Sequence, residues 1–168
     1  EETTGGAMYI SNDNGVTNAY THSYDYSIAA LLVEFAPGAE YTISFDYKVD
    51  GEQYADYFQL YALDPFEDLD NYWNGQTLTE ELYGQTEWTH FEYTVPSSWI
   101  GSTKQILLYW HNNSFDGNQP PAAIDNLRIT PTTCIRPNNI ETTETNITKQ
   151  EIADNSPCHE EITNTSLL

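Results

Sequence analysis

The sequence predicts an all-β protein, a jelly-roll β-sandwich of two antiparallel sheets followed by a poorly structured C-terminal tail. Three observations carry that expectation. About seven short runs alternate apolar and polar residues or are continuously apolar, each bounded by turn-forming residues. No segment shows the 3.6-residue apolar period of an amphipathic helix. Lys104 to Thr130 reads as two long strands around a polar loop, and the first carries apolar residues on both faces (Ile106, Leu108 and Trp110 against Leu107 and Tyr109), as a central strand does.

Taken in order, Ala7–Ser11 is a short strand that runs into the turn Asn12-Asp13-Asn14-Gly15. Ile28–Phe35 is a mostly apolar run stopped by Pro37-Gly38, which favours a buried strand. Glu40–Asp50 alternates cleanly, with Tyr41, Ile43, Phe45, Tyr47 and Val49 on one face. Asp50-Gly51 then turns into Tyr54–Leu63, where Asp56, Phe58, Leu60 and Ala62 oppose Tyr57, Gln59, Tyr61 and Leu63, and the two runs are expected to pair antiparallel. Asp64–Gly84 is the longest irregular stretch, and its aromatic residues argue against disorder. Trp88–Val95 alternates again and Pro96 ends it; Trp99 and Ile100 are expected to cap one end of the core. Pro120-Pro121 blocks pairing until Ala122, where the last strand begins. Asp125, inside that otherwise apolar strand, needs a partner.

Every Phe, Trp and Tyr lies before residue 131, so the domain is expected to span residues 1–130, with 131–168 a linker or tail, a remnant of a following module. The formal charge is −21, and residues 1–130 hold 20 acidic against 3 basic side chains. Such a surface repels phosphate backbones and anionic membranes, leaving divalent cations and neutral polymers as partners. No stretch approaches a membrane span. The opening EETTGG is not a signal peptide, and the chain reads as a piece of something longer. Cys134 and Cys158 both fall in the tail, where pairing and free thiols are equally open.

Three chemistries were weighed. Calcium takes six to eight oxygens; Asn12, Asp13 and Asn14 place three oxygen-bearing side chains on one turn, and Asp56 and Asp125 would complete a cage if their strands lie side by side. The plainer alternative makes the first group a turn and has Asp125 bond backbone amides at a bulge. Sugar binding wants flat rings beside hydrogen-bonding side chains; Tyr72, Trp73, Asn74 and Gln76 form one such group, and His111, Asn112, Asn113, Asp116, Asn118 and Gln119 a second. The plainer alternative has Trp73 plug the sandwich and the Asn residues build turns. For catalysis, the adjacent acids Asp68/Asp70 and Glu80/Glu81 are not expected to face one substrate, and no nucleophile, metal or phosphate-loop motif is present.

The segments GGAMYISNDNGVTNAY, YTISFDYKVDGEQYADYFQLYAL and QTEWTHFEYTVPSSWIGSTKQILLYWHNNSFDGNQPPAAIDNLRITPTTCIRP together resemble the cleaved-adhesin, or choice-of-anchor, modules of Bacteroidetes surface and secreted proteins, related in architecture to MAM domains. The resemblance runs over most of residues 5–137. It implies a jelly-roll sandwich, commonly calcium-bound, that serves extracellular adhesion or glycan binding without catalysis. A Cys-x-Arg-Pro segment such as Cys134–Pro137 opens a fibronectin-type module in such proteins, but its Trp and Val strand pattern does not follow here. The usual opening strand with its Phe-Glu pair is also missing, and a metal site that used it would be lost.

The expectation is therefore a non-catalytic extracellular module for adhesion or carbohydrate recognition, stabilised by calcium. It would be part of a multidomain protein, with a glycan or a host or surface protein as partner. The alternative is a structural spacer with no ligand of its own. Ligand contacts are expected from Tyr72, Trp73, Asn74, His111, Asn113 and Asp116, and metal ligands from Asn12, Asp13, Asp56 and Asp125.

Overall fold

A computed structural model describes residues 6–115 and 117–134. Its eight strands are β1 (Met8–Tyr9), β2 (Asp25–Phe35), β3 (Ala39–Val49), β4 (Tyr57–Leu63), β5 (Gln76–Thr77), β6 (Gln85–Thr94), β7 (Ser102–Asn112) and β8 (Ala123–Cys134). They form two four-stranded sheets in the orders β1-β8-β3-β6 and β2-β7-β4-β5, with every neighbouring pair antiparallel. Almost every connection crosses from one sheet to the other, which is the jelly-roll path.

The alternation within β3 and β7 sets the core. Ile43, Phe45 and Val49 from one sheet meet Phe58, Leu60, Ile106, Leu108 and Trp110 from the other. Trp99, buried against Phe35 at a ring separation of 5.7 Å, closes one end as expected. β7 is central, between β2 and β4, and both of its faces are covered. Its outward residues Leu107 and Tyr109 pack with Tyr61 and Leu63 in a second, smaller cluster.

Three expectations are corrected. β3 and β4 do not pair with each other, because they lie in opposite sheets. The turn between them is wider than a hairpin: Glu52 and Asp56 close their own loop, and a Cβ at Gly51 would run into the Asp56 carbonyl. The chain thus crosses the sandwich, and Phe45 faces Phe58 edge-on at 6.0 Å across the core. Ile28–Phe35 is not a buried strand; it lies at a sheet edge with Leu32 69% exposed, and of β2 only Phe35 is buried. β8 continues past Thr130 to Cys134, because Ala39 to Tyr41 of β3 supply it with partners. Residues 135–168, Cys158 among them, lie outside the described residues.

Candidate functional site

The outer face of the β2-β7-β4-β5 sheet collects aromatic residues. Register aligns Tyr26, His111 and Tyr57 in one row across β2, β7 and β4, then Ile28, Tyr109 and Gln59, then Ala30, Leu107 and Tyr61. Tyr57 and His111 stack at 5.2 Å, Tyr26 stacks with Tyr109 at 6.0 Å, and Tyr61 meets Tyr109 edge-on at 5.6 Å. Tyr24 adds an edge contact to His111 at 5.3 Å.

A short 3₁₀ segment, Leu69–Asn74, folds onto this face. Asp68 starts it by accepting a hydrogen bond from the Asp70 amide at 3.1 Å. At its far end a Cβ on Gly75 would sit 2.7 Å from the Ala62 carbonyl oxygen, so only glycine lets the segment approach β4 this closely. Tyr72 consequently lies over Tyr109, with ring centroids 4.4 Å apart, and Trp73 projects beside it, 64% exposed. Two ring faces of different orientation, Tyr72 and Trp73, therefore stand next to a floor of tyrosines.

Hydroxyls and carboxylates frame the rings. Tyr26 donates to Asp70 Oδ1 at 3.0 Å, Tyr109 to the Tyr72 hydroxyl at 2.9 Å, and Tyr61 to Gln59 Oε1 at 2.5 Å. His111 donates from Nδ1 to the Ala55 carbonyl at 2.8 Å. Burial, aided by the Glu81 carboxylate, pushes the Tyr57 hydroxyl up to about 12, and burial drives Tyr61 and Tyr109 above the ordinary tyrosine range. The hydrogen bond to Asp70 raises Tyr26. These hydroxyls stay protonated at neutral pH; Tyr26, Tyr61 and Tyr109 give their one hydrogen to Asp70, Gln59 and Tyr72.

Of the ligand contacts expected from sequence, the fold brings Tyr72, Trp73 and His111 onto this one face. Asn74 stands at its edge and donates to Glu67 Oε1 at 3.1 Å. Asn113 does not join them: its amide donates to Asp56 Oδ1 at 2.7 Å and its side-chain oxygen accepts from the Phe115 amide, so it shapes its own loop. Asp116 lies outside the described residues. Tyr26, Tyr57, Tyr61 and Tyr109 are not singled out by the sequence; the alternation of β4 and β7 puts Tyr57, Tyr61 and Tyr109 on one face of their strands, Tyr26 falls before the strand expected from Ile28, and only the strand pairing brings the four together.

The residues considered for calcium do not fit a common ion as they stand. Asp13 Oδ1 accepts from Ser11 Oγ and the amides of Val16 and Thr17, and Oδ2 accepts from Thr17 Oγ1, so its own loop saturates it. These hydrogen bonds, the Thr17 hydroxyl first, hold its carboxyl down at about 2. Asn12 donates to Thr21 Oγ1. Asp56 is fully buried and accepts from the Tyr20 hydroxyl at 2.7 Å. Asp125 accepts from the Asn126 amide at 2.7 Å, at a β-bulge where Asn126 has φ 53°. β4 and β8 belong to different sheets, so the strands carrying Asp56 and Asp125 are not side by side. Among the described residues, no three His, Cys, Asp or Glu side chains group closely enough to hold a metal.

Elsewhere, Tyr47, Tyr54, Tyr83, Glu80 and Glu81 line an open cleft of about 410 Å³. The adjacent Glu80 and Glu81 both border it, just before Leu82, which bridges to Phe58. Apolar recesses of about 210 and 230 Å³ lie between β2 and the β1/β8 edge.

No family model matches the chain, and no curated protein matches it. Among solved structures it is similar to a "Family 16 Carbohydrate Binding Module-2", at 15% identity and a TM-score of 0.39, over 65% of this chain and 72% of that one. A likeness at that level carries no argument about ligand.

Proposed function

We propose that the domain is a non-catalytic carbohydrate-binding module and that the outer aromatic face is where the glycan lies. The observation that carries this reading is Trp73, 64% exposed, standing against Tyr72 above a floor of tyrosines, with exposed Tyr26 and the Asp70 carboxylate beside them to accept hydrogen bonds. Sugar C–H faces stack on rings while their hydroxyls pair with polar side chains. A spacer gains nothing from a large exposed indole beside such a row. The extracellular setting, the adhesin-like family and a multidomain parent belong to the same proposal; they rest on the motif resemblance alone.

The test is retention by a panel of immobilised neutral polysaccharides, with wild type beside Trp73→Ala and Tyr26→Ala. Wild type is expected to be retarded by at least one polymer, and each variant to bind on the order of tenfold or more weakly with its circular dichroism unchanged. Wild-type binding that survives both substitutions would move the site elsewhere, first to the Tyr54–Glu81 cleft. Release of reducing ends from the retained polymer would overturn the non-catalytic reading.

A further inference from the structure

We propose that this face selects glycans bearing protonated amino groups over neutral and acidic ones, so that its ligand class is polymers of amino sugars; this rests on the aromatic face being the glycan site. The argument is charge complementarity around exposed rings. Asp70 accepts the Tyr26 hydroxyl at 3.0 Å. Glu67 holds Asn74 beside Trp73. Glu81, which accepts the Tyr54 amide at 3.1 Å, adds negative charge that raises Tyr57 and Tyr61.

The cations are elsewhere. Of the three described Lys and Arg side chains, Lys48 and Arg128 belong to β3 and β8 of the other sheet, and Lys104 is paired with Asp64 at 2.7 Å. His111, the other titratable group among the rings, has Nδ1 committed to Ala55. A ligand approaching Trp73 and Tyr26 therefore meets carboxylates with no uncommitted lysine or arginine among them. An ammonium group gains from those carboxylates and from the ring faces themselves, whereas a uronate or sulfate is repelled. A neutral glycan keeps its stacking and its hydroxyl hydrogen bonds but gains nothing from the charge.

The experiment titrates Trp fluorescence with a glucosamine hexamer and its N-acetylated counterpart in one mildly acidic buffer. The amino oligomer is expected to bind about tenfold tighter at low salt. That advantage should shrink as ionic strength rises from about 0.05 to about 0.5 M, and Asp70→Asn should remove most of it while weakening the N-acetylated oligomer far less. Equal affinity for the two oligomers, or an advantage insensitive to salt, overturns the proposal. So does undiminished amino-oligomer binding by Trp73→Ala, which carries the same charge and would reveal adsorption to the acidic surface at large. If neither oligomer nor any neutral polysaccharide binds, the carbohydrate reading itself fails; if neutral polymers bind and the amino oligomer shows no preference, only the charge selection fails.

Discussion

The Tyr109 hydroxyl donates to that of Tyr72 at 2.9 Å, with the two rings 4.4 Å apart, and so ties the central strand of one sheet to the segment that presents Trp73. Tyr109 is fully buried beneath this contact. Tyr109→Phe is expected to cost about 1 kcal/mol, the worth of an ordinary hydrogen bond, and to lower Tm by roughly 2–6 °C. Glycan retention should weaken with it, because Trp73 loses its anchor. Calorimetry together with the retention assay checks both, and lost retention at unchanged Tm would mean that the hydroxyl pair touches ligand directly.

Asp56 joins three loops through Tyr20, the Asn113 amide and the glycine that covers it. A Cβ on Gly117 would overlap both the Asp56 carboxylate and the Tyr20 hydroxyl. Gly117→Ala is thus expected to destabilise by about 2 kcal/mol, and Asp56→Ala by about 3 kcal/mol, since it strands buried donors. Tyr20→Phe should cost about 1 kcal/mol. Urea midpoints for the three variants test the order; a neutral Gly117→Ala would show that the loop has room.

Acid should weaken the fold through Asp13. Its carboxyl is held down at about 2 in the folded state against an ordinary 3.8, so the charged form is favoured by folding. That contribution is present above pH 3.8 and is lost as pH falls toward about 2. Asp46, lowered by its hydrogen bonds to His90 and Asn126, adds in the same direction. Asp13→Asn should flatten the fall in Tm over this window, and an unchanged acid profile would exclude the loop as its source.

Calcium is testable by unfolding in excess chelator and then in millimolar calcium. With Asp13, Asp56 and Asp125 each already holding backbone or side-chain donors, Tm is expected to stay unchanged. An ion bound at 100 times its dissociation constant would instead add about 2.7 kcal/mol, a shift of several degrees, and would require those loops to rearrange around it.

The strand faces were legible because a period of two is written locally: Tyr41, Ile43 and Phe45 had to point one way wherever β3 lay. The partners were not. Asp50-Gly51 has the chemistry of a hairpin turn, yet β3 leaves its neighbour for the opposite sheet, since only then can Phe45 and Phe58 bury against each other. The site shows the same division. Trp73 and His111 stand out by type and by polar surroundings, while Tyr57 and Tyr109 read as ordinary strand residues and Tyr26 as part of the segment before a strand, until pairing sets them side by side. Asn113 and Asp56 are expected from sequence to meet a glycan and a metal; Asp56 does share the buried face of Phe58, Leu60 and Ala62, but its partners there are the Tyr20 hydroxyl and the Asn113 amide, which residue type alone does not name.

By itself the sequence determined the all-β class, the face each long strand offers to the core, the capping Trp99, the acidic character and the aromatic chemistry available for a ligand. These follow from residue type and local period. Tertiary structure decided which strands are neighbours, that the 3₁₀ segment folds over β7 and β4, and that the scattered carboxylates are spent on loops rather than gathered around an ion. Those choices depend on burial and hydrogen bonding between residues far apart in the chain, where packing energy selects among pairings that local sequence leaves equivalent.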